Sequence, residues 1–460
     1  MRLFPPLLQI DENEGFNPAK DIFGRKKIAD GLTHLVSQVE DPIVLAVDGQ
    51  WGSGKTIFLK MWRGELQQLG FPVIYFDAFA NDYFEDAFVP LAAEIIGLAQ
   101  TKLKANTSTF EDLKTKTTKV AKVVLRSALR IGVKAATLGA IDASDIEGTI
   151  ADEVETAFDK HVGELITKQD AVKSDMIAFK EALENLPKLF GPAGQNEEQI
   201  KPIIIIIDEL DRCRPSYALQ LLERMKHFFS VSKVHFVLGA NLSQLANSVV
   251  ATYGAGINSE LYLQKFIQLS IQLQDQFDHS GATTISKFLN HLVDQSNLAG
   301  DNRDFVLNCC NDIHVVAERN NLSLRTIEQV FGHVIRMVAI TPKNMFKNSS
   351  LVAGLSILKV VSPNLFYEAK RGTIRYSQVA NVFGLLDSAE KQIDASDSVY
   401  KKSVIEQRSL ESWWRFVSDR NCPSKIMERL SGALNSFSSD QPVDLLIWCA
   451  NNQMDKFRST

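Results

Sequence analysis

Cysteine is scarce: five stand in 460 residues, at Cys213, Cys309, Cys310, Cys422 and Cys449. The number is odd and no C-x-x-C pair occurs, which argues against a structural zinc site and fits a reducing, cytosolic compartment. The adjacent Cys309 and Cys310 suit neither a metal nor a structural disulfide. Long apolar runs are missing too; none approaches the about 18 uncharged residues of a spanning helix. The opening MRLFPPLLQIDENEG has too short an apolar stretch, and too early an acidic run, for a signal peptide. Charge of one sign is lacking as well, with 50 basic against 55 acidic residues and a net charge of −5. Bulk attraction to nucleic acid or membrane is therefore not implied, and such a partner would need a local patch. No repeat or low-complexity tract is present. The 45% hydrophobic and 23% charged composition excludes a mainly disordered or collagen-like chain. The length predicts about three domains.

What is present is a strand–turn–helix alternation. A helix is expected from about Arg25 to Val39, then a buried strand over Pro42–Val47 that closes at Asp48-Gly49. A helix over Lys55–Leu69 leads to a second strand, Pro72–Phe76. The third strand is Ile203–Ile207, five isoleucines in a row, and the fourth is Val234–Leu238. This order predicts an α/β fold with a parallel sheet. About 125 residues separate the second and third strands, where a crossover needs about a dozen, so a long helical insertion is expected there. The division that follows is 1–84 and 196–274 for the two parts of the core, and 85–195 for the insertion. A small helical domain occupies 275–345 and a helical region 346–460, with Trp413, Trp414 and Trp448 expected in its core. Gly191-Pro192-Ala193-Gly194 marks the linker before the third strand.

The insertion segregates its charge. Residues 113–141 carry seven bases and no acid, and residues 142–159 carry seven acids and no base. Lys122, Arg126, Arg130 and Lys134 recur every fourth residue, which on a helix advances only about 40° per step and makes one stripe. Such a stripe is either solvated and paired with its acidic neighbour, or a contact for nucleic acid or a membrane surface.

The chemistry lies in Gly49-Gln50-Trp51-Gly52-Ser53-Gly54-Lys55-Thr56, a full match to G-x-x-x-x-G-K-[ST] between a strand and a helix. Glycines let backbone N–H groups close around phosphates, and the helix N-terminus adds a favourable dipole. Lys55 is expected to reach the β- and γ-phosphates of a bound nucleotide and Thr56 to ligate Mg²⁺. The second half is the isoleucine strand ending in Asp208-Glu209. Asp208 is placed to hold the metal, and Glu209 to orient or deprotonate the attacking water. The histidines at 34, 161, 227, 235, 279, 291, 314 and 333 show no ligand spacing.

The stretch Asp208-Glu209-Leu210-Asp211-Arg212-Cys213-Arg214-Pro215 resembles the D-[DE]-L-D-R-C-x-P stretch of the KAP family of P-loop NTPases. Trp51 within GQWGSGKT is similar to that family's phosphate loop. Weaker matches are Tyr75–Phe79 and Leu261–Phe266, the latter like a helix after the fourth strand. The resemblance covers about residues 20–345. It implies a STAND/AAA-like NTPase using ATP ahead of GTP, with Mg²⁺ and a helical insertion between the Walker A and Walker B motifs. It also implies a homo-oligomer or a separate effector protein, and for bacterial members a role in defence against phage or plasmids. Many members carry membrane helices in the insertion. Here the four-residue stripe of bases would cost about 2.5–3.5 kcal/mol per charge at a helix centre, so a cytoplasmic form is expected. Glu209 departs from the family's frequent Asp.

The resemblance also marks further positions. Asn241 after the fourth strand is read as a γ-phosphate sensor or as a turn-favouring residue. Arg325 is read as a sensor arginine or as a surface-paired one. Gly24-Arg25 resembles the segment that lies against adenine. Arg212 and Arg214 pair locally or act in trans. No second catalytic set is present, which points to an energy-coupled switch. A nucleotide-gated scaffold with little turnover, or a nucleic-acid-stimulated motor, are the alternatives.

Overall fold

The computed structural model describes residues 8–102, 200–226, 230–273, 283–342, 345–385, 409–435 and 441–455, with a few positions between 180 and 190. Five strands form one parallel sheet: β1 (Val44–Asp48), β2 (Val73–Asp77), β3 (Ile203–Asp208), β4 (Val234–Ala240) and β5 (Leu269–Gln272). Their spatial order is β2-β3-β4-β1-β5. The α/β class and the four strands expected from sequence are present, each within two residues of its expected bounds.

The isoleucine run explains the layering. Successive strand side chains point to opposite faces, so a strand buried on both faces must be apolar throughout. Ile203, Ile205 and Ile207 join one core, and Ile204 and Ile206 join the other. The first is covered by α3 (Phe88–Lys102), α4 (Pro215–Met225) and α5 (Leu242–Tyr253), through residues such as Leu91, Tyr217 and Leu245. The second is covered by α1 (Lys26–Gln38) and α2 (Lys55–Gln68), through Leu32, Phe58 and Trp62. Parallel neighbours require every connection to return across a face, which these helices do.

The fifth strand has no counterpart in the expected set. Its sequence, LSIQ, is short and mostly exposed, as an edge strand paired on one side with β1 can be. The helix expected over Leu261–Phe266 is shorter than its motif: α6 (Ser259–Leu263) stops before Gln264-Lys265-Phe266, which turn toward β5. The insertion opens with α3, and Leu183 and Leu186 return to the same core. The stripe of Lys122, Arg126, Arg130 and Lys134, the acidic block, His161, His227 and His279 lie outside the described residues.

Past the sheet, α7 (Thr284–Gln295), α8 (Asp301–Arg319), α9 (Leu324–Ile340) and α10 (Ser349–Val361) pack with later helices. Residues on both sides of position 345 enter one hydrophobic cluster that runs from Ile285 to Met454. Trp414 is fully buried there, with Trp413 and Trp448 packed against the cluster. All five cysteines are free thiols. Among the described residues no helix is long and apolar enough to cross a membrane.

Candidate nucleotide site

The phosphate loop leaves β1 at Asp48, whose carboxylate accepts from the Leu242 N–H at 2.9 Å. Gly52 and Gly54 take φ of +82° and +84°, the left-handed region that glycine alone adopts freely. Gly52 has a second reason to be glycine: a Cβ there would lie 2.9 Å from that of Arg325. The loop therefore runs directly under the start of α9, which brings Arg325 to the site. Gly54 hands the chain to α2, so that Lys55 and Thr56 fall on the helix's first turn.

Lys55 is 8% exposed, with Nζ donating to the carbonyls of Gly49 and Gln50. Burial pulls its pKa down, while Asp211, Asp208 and Asp48 pull it back up. Asp208 ends β3 at 1% exposure. It accepts from the Tyr75 hydroxyl at 2.7 Å and from the Glu209 N–H at 2.8 Å. Burial pushes the Asp208 carboxyl up, and Tyr75, Thr56 and the Glu209 N–H oppose the shift. Sequence reasoning had passed over Tyr75 as a site residue. Only the pairing of β2 with β3, Tyr75 opposite Ile206, shows that it reaches Asp208.

The room for that carboxylate comes from β4. Gly239 lies opposite Asp208, and a Cβ at this glycine would sit 2.5 Å from both Asp208 Oδ1 and Leu59 Cδ1. Gly239→Ala is expected to destabilise the fold by about 1–3 kcal/mol, the usual cost of overpacking. Urea unfolding checks this, and an unchanged midpoint would remove Gly239 from the account.

Glu209 takes φ +59°, uncommon for a residue with a side chain, and its carboxylate pairs with Arg212 at 2.8 Å. Burial raises its pKa and Arg212 opposes the rise. Arg214 donates to Asp82 and to the Phe84 carbonyl. Both arginines considered as trans-acting groups thus have partners within their own chain. The Trp51 indole donates to buried Asp211, which ties the phosphate loop to the turn after β3.

A cleft of about 380 Å³ lies between the α/β core and the helical part, bordered by Lys55, Thr56, Asp208, Glu209, Arg25 and Arg325. Its other wall is apolar: Phe23 and Phe288 have ring centroids 6.2 Å apart, with Met61 and Leu292 beside them. The Arg25 guanidinium sits 4.7 Å from the Phe23 centroid and donates to the Ser53 carbonyl at 2.9 Å. Gly24, at φ +67°, makes the turn that puts this segment there. The apolar wall escaped sequence reasoning because Phe23 and Phe288 are 265 positions apart. Asn241 is placed differently. Its side chain accepts from the Gln244 N–H as the N-cap of α5, and it borders a neighbouring cavity with Gly49 and Gln50 rather than this cleft.

A phosphate loop on a five-stranded parallel sheet, facing a buried strand-end aspartate, defines a P-loop NTPase domain. Residues 25–340 match the KAP family P-loop domain. The chain belongs to the KAP family of P-loop NTPases. No curated protein sequence matches it. Among solved structures it is similar to the Aeropyrum pernix ORC2 protein in ADPNP-ADP complexes, at 12% identity and a TM-score of 0.36, over 98% of this chain and 96% of that one. It is also similar to AMPPCP-bound DnaA from Aquifex aeolicus, at 9% identity and a TM-score of 0.26, over 91% and 98%.

Proposed function

We propose that the chain binds ATP with Mg²⁺ in this cleft, hydrolyses it, and uses the cycle as an energy-coupled switch in the cytoplasm. The observation that carries this reading is the meeting of Lys55, Thr56, Asp208 and Glu209 at one cleft with an apolar wall. Backbone N–H groups of the glycine loop and Lys55 would hold the phosphates, and Phe23 and Phe288 would flank the base.

The donor set fits the metal. The Thr56 hydroxyl and the Asp208 carboxylate are hard oxygens that border the same cleft, and Mg²⁺ usually takes one or two protein oxygens plus phosphates and water. When bound, it supplies charge neutralisation for the transferred phosphoryl group. Ser53 Oγ, buried in the loop without a hydrogen-bond partner among the described residues, is one further polar atom that a phosphate would satisfy. Glu209 would orient the attacking water and take its proton. Arg325, exposed at the start of α9 and bordering the cleft, would sense the phosphates and report them to the helical part.

A homo-oligomer or a separate effector is the reader of the switch that this account needs. Defence against phage is the setting that the family resemblance suggests, and the five unpaired cysteines support a reducing compartment. One observation favours a second reading. The Glu209 carboxylate is engaged by Arg212 at 2.8 Å, and a residue so paired would suit a scaffold that binds nucleotide with little turnover. Phosphate release by the wild-type chain with ATP and Mg²⁺ separates the two. Steady release above background is expected, and its absence with nucleotide binding intact would leave the scaffold.

A further inference from the structure

At the far end of α9 from the cleft lies a small cavity of about 170 Å³, bordered by His333, Arg336, Lys359, Gln453 and Asp455. Arg325 and Arg336 are eleven residues apart on this helix, about 16 Å along its axis, so the cavity is separate from the nucleotide site. Its charge is one-sided. Lys359 and Lys370 share a single carboxylate, Asp455, at 3.3 and 2.5 Å. Lys359 also donates to the Met454 carbonyl at 2.8 Å. The Arg336 guanidinium donates to His333 Nδ1 and has no carboxylate partner among the described residues.

Among the described residues Arg336 and Lys359 border the cavity with one acid, Asp455, an excess of one charge, and Lys370 draws on the same acid from outside the lining. The C-terminal end of the α9 dipole offsets only about half a charge of that. His333 adds none: burial, Arg336 and Lys359 lower its pKa to about 4, so the ring stays neutral and accepts from Arg336. Partly buried positive charge without a partner is costly, and an anion is what relieves it. Gln453 supplies a second clue. It is 1% exposed, its amide N–H donates to the Phe346 carbonyl at 2.6 Å, and its Oε1 is buried with no partner among the described residues.

We infer that this cavity is a site for a protonated oxyanion, inorganic phosphate or a terminal phosphoryl group, held by Arg336 and Lys359. The planar guanidinium offers a fork of donors that matches two phosphate oxygens, and Lys359 adds a point charge. A phosphate O–H, present near neutral pH, gives the Gln453 oxygen the donor it lacks. The volume suits such a group and is too small for a whole nucleotide, whose sites usually exceed about 300 Å³.

The test is calorimetric titration of the full chain with inorganic phosphate, carrying Lys55→Ala so that the phosphate loop contributes little. One saturable site is expected. Arg336→Gln should weaken it at least tenfold. Arg336→Lys, which keeps the charge but not the fork, should weaken it at least threefold and decides the matter if the first variant does not fold. Sulfate, which carries no O–H at this pH, should bind several-fold more weakly than phosphate. Absence of a saturable site, unchanged affinity in the variants, or sulfate binding as tightly as phosphate would each overturn the assignment.

Discussion

Glu209→Gln should lower steady phosphate release by about 10²–10⁴-fold, the usual contribution of a positioned general base, while nucleotide binding persists. The amide keeps the shape of the side chain but cannot take a proton from water. It also loses the ion pair with Arg212, so the variant removes two interactions at once. The two are separable, because Arg212 and Glu209 are 30% and 18% exposed and a pair that solvent still reaches contributes about 1 kcal/mol. Loss of the pair alone therefore accounts for less than tenfold. A variant that still turns over within tenfold of the wild type would take the base role away from Glu209. Bound nucleotide, read by a fluorescent ATP analogue, should be retained at near wild-type affinity.

Lys55→Ala should act earlier, on binding itself. Lys55 is buried beside the cleft, and its ammonium donates to the Gly49 and Gln50 carbonyls of the loop. Truncating one member of a buried charge pair costs about 2–5 kcal/mol, which is about 30- to 5,000-fold in affinity. The folded state should tolerate the change, since the lysine's bonds to the Gly49 and Gln50 carbonyls are offset by the burial that lowers its pKa. Titration with the same analogue, beside thermal unfolding, checks both statements. Affinity within threefold of wild type would show that the phosphates lie elsewhere.

The two variants also separate the readings of the protein. A switch that cycles needs both residues, whereas a scaffold that only holds nucleotide needs Lys55 and is indifferent to Glu209.

Much of this site is legible in the chain because its parts are local. A glycine loop must have its glycines, and the match places backbone donors, Lys55 and Thr56 within eight consecutive residues. The isoleucine run announces a strand buried on both faces, and its last residue must lie at the sheet's edge. Alternation and helical period are properties of neighbours in sequence, so they survive without knowledge of the fold. The edge strand β5 carries no such mark, because half-exposed residues follow no strong pattern. Asn241 shows the other side of local reasoning. A polar residue after a strand suits a sensor and a helix cap equally, and the Gln244 N–H engages it as the cap.

By itself, then, the sequence determined the class of the fold, the phosphate loop, the strand-end aspartate and the adjoining glutamate, since each rests on residues within a turn of one another. The tertiary structure decided what those residues face. It set Tyr75 and Gly239 around Asp208, paired Glu209 with Arg212, pressed Gly52 against Arg325, and closed an apolar wall from Phe23 and Phe288. These contacts depend on strand register and on the docking of the helical part. Both are fixed by burial across the whole core, which no window of sequence contains.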